Sequence, residues 1–135
     1  MDKKKLSALR KQLRKKISEL DKIIEPAFES TPVFPGCFQN YGRRCGRPDC
    51  KCVNGELHRS FRVLIPFKYG QVAVAIKGEE KKPWKEKTEN YRKMRKTQQN
   101  FRAWHKEIIQ LLDSLERARR STEDIPEKYR GRKLR

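Results

Sequence analysis

The chain has 135 residues, the size of one domain, and its 35 Lys and Arg against 17 Asp and Glu give a formal charge of +18. Hydrophobic residues make up 35% of the chain and charged residues 39%. This balance excludes a thick globular core, because ordering each residue costs about 1–2 kcal/mol that burial must offset. Two architectures remain: long amphipathic helices that bury a narrow stripe, and a small fold held together by a metal or disulfides.

The first segment has the pattern of an amphipathic helix. Apolar residues recur mostly at steps of three and four from Leu6 to Ile24, and Lys and Arg occupy much of the other faces. Pro26 disfavours helix in the residue before it, so we expect an N-terminal helix over residues 1–25. The stretch "EPAFESTPVFPG" follows as a turn-rich connector.

No apolar run of signal-peptide length is present near the N-terminus, and no segment is apolar enough to span a bilayer. We therefore expect a cytoplasmic protein that does not bind membranes. Thiols stay reduced in that compartment, which favours a metal site or a redox role over disulfides.

A β-hairpin is predicted in the middle of the chain. The segments "FRVLIPF" and "QVAVAI" are rich in β-branched and aromatic residues and are joined by "KYG", where Gly70 supplies a positive φ. We assign residues 26–82 to the connector, a cysteine-containing loop and this hairpin.

The C-terminal helix is expected over residues 83–120, with Pro83 in its first turn. Its stripe alternates steps of three and four through Tyr91, Met94, Gln98, Phe101, His105, Ile108, Leu112 and Leu115. Trp84 extends this phase upstream, and Trp104, Ile109 and Leu111 widen it. Residues 121–135 are polar and end in basic residues, so they are predicted to form a flexible tail.

These elements predict an α+β fold that is mainly α. Neither helix is stable alone in water, so the two stripes are expected to pack as an antiparallel, coiled-coil-like hairpin. The cysteine loop and the β-hairpin are inserted at one end of this single domain. Homodimerisation through the same stripes is the alternative.

The cysteines are Cys37, Cys45, Cys50 and Cys52, and His58 lies close to the last three in "CGRPDCKCVNGELH". Structural zinc takes four tetrahedral ligands from Cys thiolates and His nitrogens. Gly46 permits a tight loop, and the Asn-Gly before His58 reverses the chain toward the thiols.

The compact ligand set is Cys45, Cys50, Cys52 and His58, with Cys37 as the alternative fourth ligand. Zn²⁺ is the expected metal. A redox pair and ordinary buried thiols are the other interpretations. A closed site of four protein ligands has no open position for water, so the zinc is expected to be structural and the protein is not expected to be an enzyme.

The stretch "PGCFQNYGRRCGRPDCKC", followed by "GELH", a hairpin and "NYRKMR", resembles a family of small bacterial proteins without an assigned biochemical activity. Their core pattern is Cys-Gly-Lys/Arg-Pro-x-Cys-x-Cys, then Gly-x-x-His-Gly-Pro, and members are often encoded near transposases and other mobile elements. The pattern falls on Cys45, Gly46, Arg47, Pro48, Cys50, Cys52 and His58. The family commonly has serine at the position of Cys37, so the resemblance favours His58 as a ligand. This chain departs from the pattern at Arg59 and Ser60, where Gly-Pro is usual.

Basic residues surround the cysteine loop and are interleaved with the aromatic residues Phe38, Tyr41 and Phe61. The candidate nucleic-acid contacts are Arg43, Arg44, Arg47, Lys51, Arg59 and Arg62. Arginine forks pair with phosphates, and aromatic faces stack on unpaired bases. The sequence therefore predicts a zinc-stabilised accessory protein that binds the phosphate backbone of DNA or RNA through this basic tip and its helix faces. The family resemblance implies that it belongs to a larger mobile-element or phage machine. The alternative is a structural adaptor that docks a partner protein through its helical stripes, and a redox switch at the thiols is a weaker third.

Overall fold

A computed structural model of the chain describes residues 2–121 and 123–135 and has a mixed α+β fold. Along the chain, a long helix, α1 (Lys3–Ile24), is followed by three strands, β1 (Cys37–Arg43), β2 (His58–Phe67) and β3 (Gly70–Ile76), and then by a second long helix, α2 (Lys81–Arg119). The strands form an antiparallel sheet in the order β1-β2-β3. Residues 1 and 122, which belong to the predicted helix 1–25 and the predicted tail 121–135, lie outside the described residues. The rest of that tail contains a 3-10 turn at Glu127–Tyr129.

The described chain divides into two compact units. The helical unit combines α1 with residues 98–135, which include the second half of α2. The sheet unit consists of Pro26–Thr97, which include the sheet and the first half of α2. Neither long helix contains an apolar stretch sufficient to cross a membrane, within the part of the chain that the structure describes.

Helix α1 begins at a side-chain cap. The carboxylate of Asp2 accepts hydrogen bonds from the backbone N–H groups of Lys4 at 3.0 Å and Lys5 at 3.2 Å, which satisfies donors that the first helical turn leaves unpaired. The helix ends at Ile24, two residues before Pro26, close to the predicted boundary.

In the helical unit, α1 runs antiparallel to the second half of α2. Arg10, early in α1, lies near Arg119 at the end of α2. Lys16, farther along α1, forms an ion pair with Glu107, which precedes Arg119 in α2. The indole Nε1 of Trp104 also donates a hydrogen bond to the backbone oxygen of Lys16 at 2.7 Å. These contacts tie the middle of α1 to α2.

The buried face of α2 agrees with the predicted stripe in part, since Tyr91, Met94 and Leu115 are half-buried as expected. Trp104, Ile108 and Leu111 are half-buried, whereas His105 and Leu112 are exposed. The predicted stripe kept a regular heptad by accepting the polar residues Gln98 and His105. A second face shares Ile108 but replaces His105 and Leu112 with Trp104 and Leu111, which were expected only to widen the stripe. It is as regular and more apolar, and this is the face that the fold buries.

The predicted hairpin is present as β2 and β3, joined at Lys68 and Tyr69 with Gly70 at a φ of 130°. Strand β1 was not predicted. Its Gln39, Asn40 and Gly42 have low strand propensity, but the strand pairs with β2 from Cys37↔Leu64 to Arg43↔His58. Tertiary pairing therefore overrides local preference here.

The two faces of the sheet differ in burial. Phe38, Phe61, Val63 and Ile76 share one face, and Val63 is 0% and Ile76 8% exposed. The opposite face carries Gln39, Tyr41, Ser60, Arg62, Ala73 and Ala75, which are half-buried or exposed. Arg62, one of the basic residues named in the sequence analysis, lies on this open face.

Candidate metal centre and basic surface

The cysteine cluster occupies the loop that connects β1 to β2. Arg43 pairs with His58 at the end of the two strands, so residues 44–57 form a loop whose ends are fixed by the sheet. Gly46 has a φ of 79°, which favours glycine, and its place between Cys45 and Arg47 lets the chain turn tightly after the first thiol. Cys50 precedes a 3-10 turn at Lys51–Val53, which contains Cys52.

The structure brings the predicted ligand atoms together. The Sγ atoms of Cys45 and Cys52 are 3.6 Å apart, and the Sγ of Cys50 is 3.1 Å from Nε2 of His58. All four ligand atoms lie within 4.8 Å of one another. Tetrahedral zinc with Zn–S bonds near 2.3 Å separates its sulfur ligands by about 3.8 Å. The Cys₃His cluster therefore fits a four-coordinate metal ion in donor type and in spacing.

Backbone amides within the loop act on two of the thiols. The N–H of Arg47 donates to Cys45 and, with a hydrogen bond from Cys50, lowers the pKa of Cys45 to about 6. At Cys50, the N–H of Cys52 lowers the pKa, but the neighbouring thiols of Cys45 and Cys52, together with burial, outweigh it, and the pKa is raised. A metal requires thiolates, so the loop has one ligand already favoured in its charged form.

Little apolar packing holds this loop in place. Cys52 is 2% exposed, but Val53 and Leu57 are both exposed. The chain instead turns through close backbone contacts, since a Cβ on Gly55 would lie 2.8 Å from the backbone oxygen of Lys51. A metal bound by Cys45, Cys50, Cys52 and His58 would supply the cross-links that a hydrophobic core does not.

Cys37 lies outside this cluster. It begins β1 and pairs with Leu64, whereas the loop follows Arg43 at the other end of the strand, about 20 Å away at the usual strand rise. The Cys37 thiol instead accepts a hydrogen bond from the guanidinium of Arg92 on α2 at 3.4 Å. The alternative ligand set with Cys37 is therefore not assembled in this structure.

The predicted nucleic-acid contacts lie in three places. Arg44, Arg47 and Lys51 are exposed on the loop, Arg43 and Arg59 are exposed at the strand ends beside it, and Arg62 is half-buried on the open face of the sheet. Among the residues that the structure describes, none of these basic side chains lies within ion-pair distance of a carboxylate. Their charge is consequently not neutralised by the fold.

The aromatic residues divide between the two faces of the sheet. Phe38 and Phe61 stack on each other on the more buried face, with ring centroids 5.9 Å apart, and Lys81 lies over Phe61. Tyr41 is on the open face, where the guanidinium of Arg62 lies 4.5 Å from its ring centroid. Sequence reasoning missed this pair, because only the β1–β2 register brings the two residues together.

No protein-family model, no curated protein and no solved structure matches this chain. The resemblance described above therefore stays a prediction from the cysteine motif.

Proposed function

We propose that this protein is a zinc-stabilised, strongly basic nucleic-acid-binding accessory protein and not an enzyme. The basic tip, defined as the loop residues 44–57 with Arg43, Arg59 and Arg62, contacts the phosphate backbone of DNA or RNA. The exposed basic faces of the helices add contacts of lower specificity. Zinc has a structural role at the tip, because four protein ligands leave no position for a reacting water.

One observation carries this proposal: the basic side chains beside the ligand cluster are exposed, and no carboxylate of the described residues lies within ion-pair distance of them. A fold whose charge only served solubility would be expected to mix both signs over its surface. Concentrated positive charge attracts polyanions and releases their condensed counterions on binding. Arginines, which supply most of the tip charge, pair with phosphate through a planar fork.

The donor set supports zinc over other metals. Thiolate and imidazole ligands in a tetrahedral arrangement suit Zn²⁺, whereas Mg²⁺ and Ca²⁺ prefer oxygen ligands. We also propose that the protein is cytoplasmic, so that its thiols stay reduced. The packing of α1 against the second half of α2 is proposed to be of the coiled-coil type. The association with mobile elements or a phage machine rests on the family resemblance alone.

Filter binding across a salt series tests the proposal. With about five phosphate contacts on duplex DNA, the slope of log affinity against log salt is expected to be roughly −4 to −5. Changing Arg43, Arg44 and Arg47 together to Ala should flatten the slope to about −2, because three fewer counterions are released. Zinc content and melting temperature should not change.

The matched control removes equal charge from the C-terminal tail by changing Arg130, Arg132 and Lys133 to Ala. Equal losses of affinity in both triple variants would show that the tip is not a site and that the charge acts as a diffuse field. If the unmutated protein binds no polyanion at physiological salt, the proposal is wrong.

A second function, a structural adaptor for a partner protein, is supported by one further feature. In the helical unit, Ile17 is 55% exposed, and Phe101, Ile109 and Leu112 are also exposed. Ile17 belongs to α1 and the other three to α2, and a docking face would require them to form one contiguous apolar patch. An adaptor of this kind would bind polyanions weakly, and the tip variant would bind no worse than the tail variant.

A further inference from the structure

The guanidinium of Arg62 is held in a fixed position without being neutralised. Its Nε donates a hydrogen bond to the amide oxygen of Gln39 at 2.7 Å, and its Cζ lies 4.5 Å from the ring centroid of Tyr41. Among the described residues, no carboxylate lies within ion-pair distance of it. Both partners are neutral, so the side chain is ordered while its full charge and its terminal N–H groups stay available to a ligand.

The surface beside this arginine is open and flat. Arg62 pairs across the strands with Gln39 on β1 and with Ala75 on β3, and the neighbouring position on β3, Ala73, is also small and exposed. No bulky side chain on β3 therefore covers the exposed side of the Arg62–Tyr41 pair on this face.

A shallow depression of about 310 Å³ adjoins the pair where β3 ends. Arg62 does not line it itself. The lining residues are Tyr41, Arg43, Arg59, Ser60, Phe61, Ala75, Ile76 and Gly78. The last β2–β3 pair is Phe61↔Ile76, so residues 58–60 of β2 have no strand partner on that side. Backbone groups there are available to a ligand, and two arginines stand at its rim. The volume is near the lower end of the range for small-ligand pockets.

We propose that the exposed side of the Arg62–Tyr41 pair, together with the depression beside it, receives an unpaired nucleobase of a single-stranded nucleic acid, an inference that rests on the proposed function and refines it. The base stacks on the Arg62 guanidinium, which is itself supported by the Tyr41 ring. Arg43 and Arg59 bind the phosphates on either side of this base. Backbone groups of residues 58–60, which have no partner on β3, contact the edge of the base.

Single strands are favoured over duplexes by the shape of the site. The faces of bases inside a duplex are stacked on each other, whereas unpaired bases can be splayed onto aromatic rings or guanidinium planes. A duplex is read through its grooves by a helix or a two-stranded ribbon that enters them. The recess beside Tyr41 has room for about one base, and it is not a protruding element that could enter a groove of a duplex.

The test compares affinities by fluorescence anisotropy at one salt concentration, using labelled oligo-dT, oligo-U and a duplex with an equal number of phosphates. Tighter binding of the single strands is expected. Arg62→Lys keeps the charge but removes the planar surface, so it should weaken single-strand binding about tenfold. Duplex binding should change by less than about twofold, because the charge is retained.

The chain offers a matched control in its tail, where the guanidinium of Arg132 lies 5.2 Å from the ring centroid of Tyr129. Arg132→Lys alters an arginine–tyrosine pair of the same chemistry and should leave every affinity unchanged. Gln39→Ala removes the hydrogen bond that orients Arg62 without touching charge or ring, and should give a smaller loss on single strands. Thermal melts of each variant separate these effects from unfolding.

The outcomes distinguish this inference from the proposed function. Equal binding of single strands and duplex, with no effect of Arg62→Lys, overturns the inference and leaves the proposed function standing. A loss of equal size on both ligands also overturns it, because Arg62 would then act as a phosphate contact. No binding of any of the three probes overturns both. Preference for oligo-dT, for oligo-U or for neither, combined with a selective effect of Arg62→Lys, supports the site.

Discussion

The Sγ of Cys50 lies 3.1 Å from Nε2 of His58, although the two residues stand on opposite sides of the Asn54–Gly55 turn. This contact joins Cys50, which precedes the 3-10 turn that contains Cys52, to the first residue of β2. Cys45 completes the group from the other end of the loop. A local chain reversal thus brings a histidine of the sheet to three thiols of the loop.

The first prediction concerns metal content. Protein purified under reducing conditions should contain about one zinc ion per chain, because three thiolates and an imidazole fill its four positions. Cys50→Ser should remove the metal and unfold the tip, and elemental analysis by mass spectrometry measures this directly. Cys37→Ser is the control and should retain zinc, since Cys37 lies at the far end of β1. Loss of zinc in this control would show that the ligand set is wrong.

A second prediction concerns thiol reactivity in the metal-free protein. The pKa of Cys45 is lowered to about 6 and that of Cys50 is raised. A lowered pKa means that the thiolate predominates above that pH, so at neutral pH Cys45 is largely ionised and Cys50 is not. Iodoacetamide should therefore label Cys45 first, as followed by peptide mass mapping over time. Below about pH 6 the labelling of Cys45 should slow as its thiolate is protonated.

Zinc-loaded protein is the control for that experiment, and both thiols should be protected in it, because metal-bound sulfur is less accessible to alkylation. Faster labelling of Cys50 than of Cys45 in the metal-free protein would contradict the assignment of the Arg47 amide as a donor to Cys45.

The third prediction tests which face of α2 is packed. Leu111 is half-buried, whereas its neighbour Leu112 is 45% exposed. Leu111→Asp should lower the free energy of unfolding by about 1–3 kcal/mol, because it places a charge against apolar side chains. Leu112→Asp, one residue along the same helix, should cost less than about 1 kcal/mol. Urea unfolding followed by circular dichroism measures both free energies. A larger loss for Leu112→Asp than for Leu111→Asp would show that the stripe through His105 and Leu112 is the packed face.

Local patterns predicted those parts of the fold that depend on neighbouring residues in the chain. Apolar spacing predicted both helices, and two β-branched segments around Gly70 predicted the hairpin. The ligand cluster was also accessible from sequence, because Cys45, Cys50, Cys52 and His58 share one loop whose ends meet at Arg43 and His58.

Features that depend on pairing between distant segments were missed. Strand β1 has a composition that favours loops, and only its ladder with β2 makes it a strand. The contacts of Arg62 with Gln39 and Tyr41 can be predicted only when the register of that ladder is known. The expected stripe of α2 was right at Ile108 but wrong at His105 and Leu112, which are exposed. An equally regular face through Trp104 competes there, and the contact of Trp104 with α1 favours that face.

The pairing of Arg43 with His58 has a consequence for how the strands align. A slip of one residue in the β1–β2 ladder would move the His58 side chain to the opposite face of the sheet, away from the thiols. Only one alignment of the two strands thus completes the coordination shell. We expect metal-free protein to show faster amide hydrogen exchange in β1 than the zinc-loaded form. An ion at the tip would then select the alignment of an edge strand whose own sequence specifies it weakly.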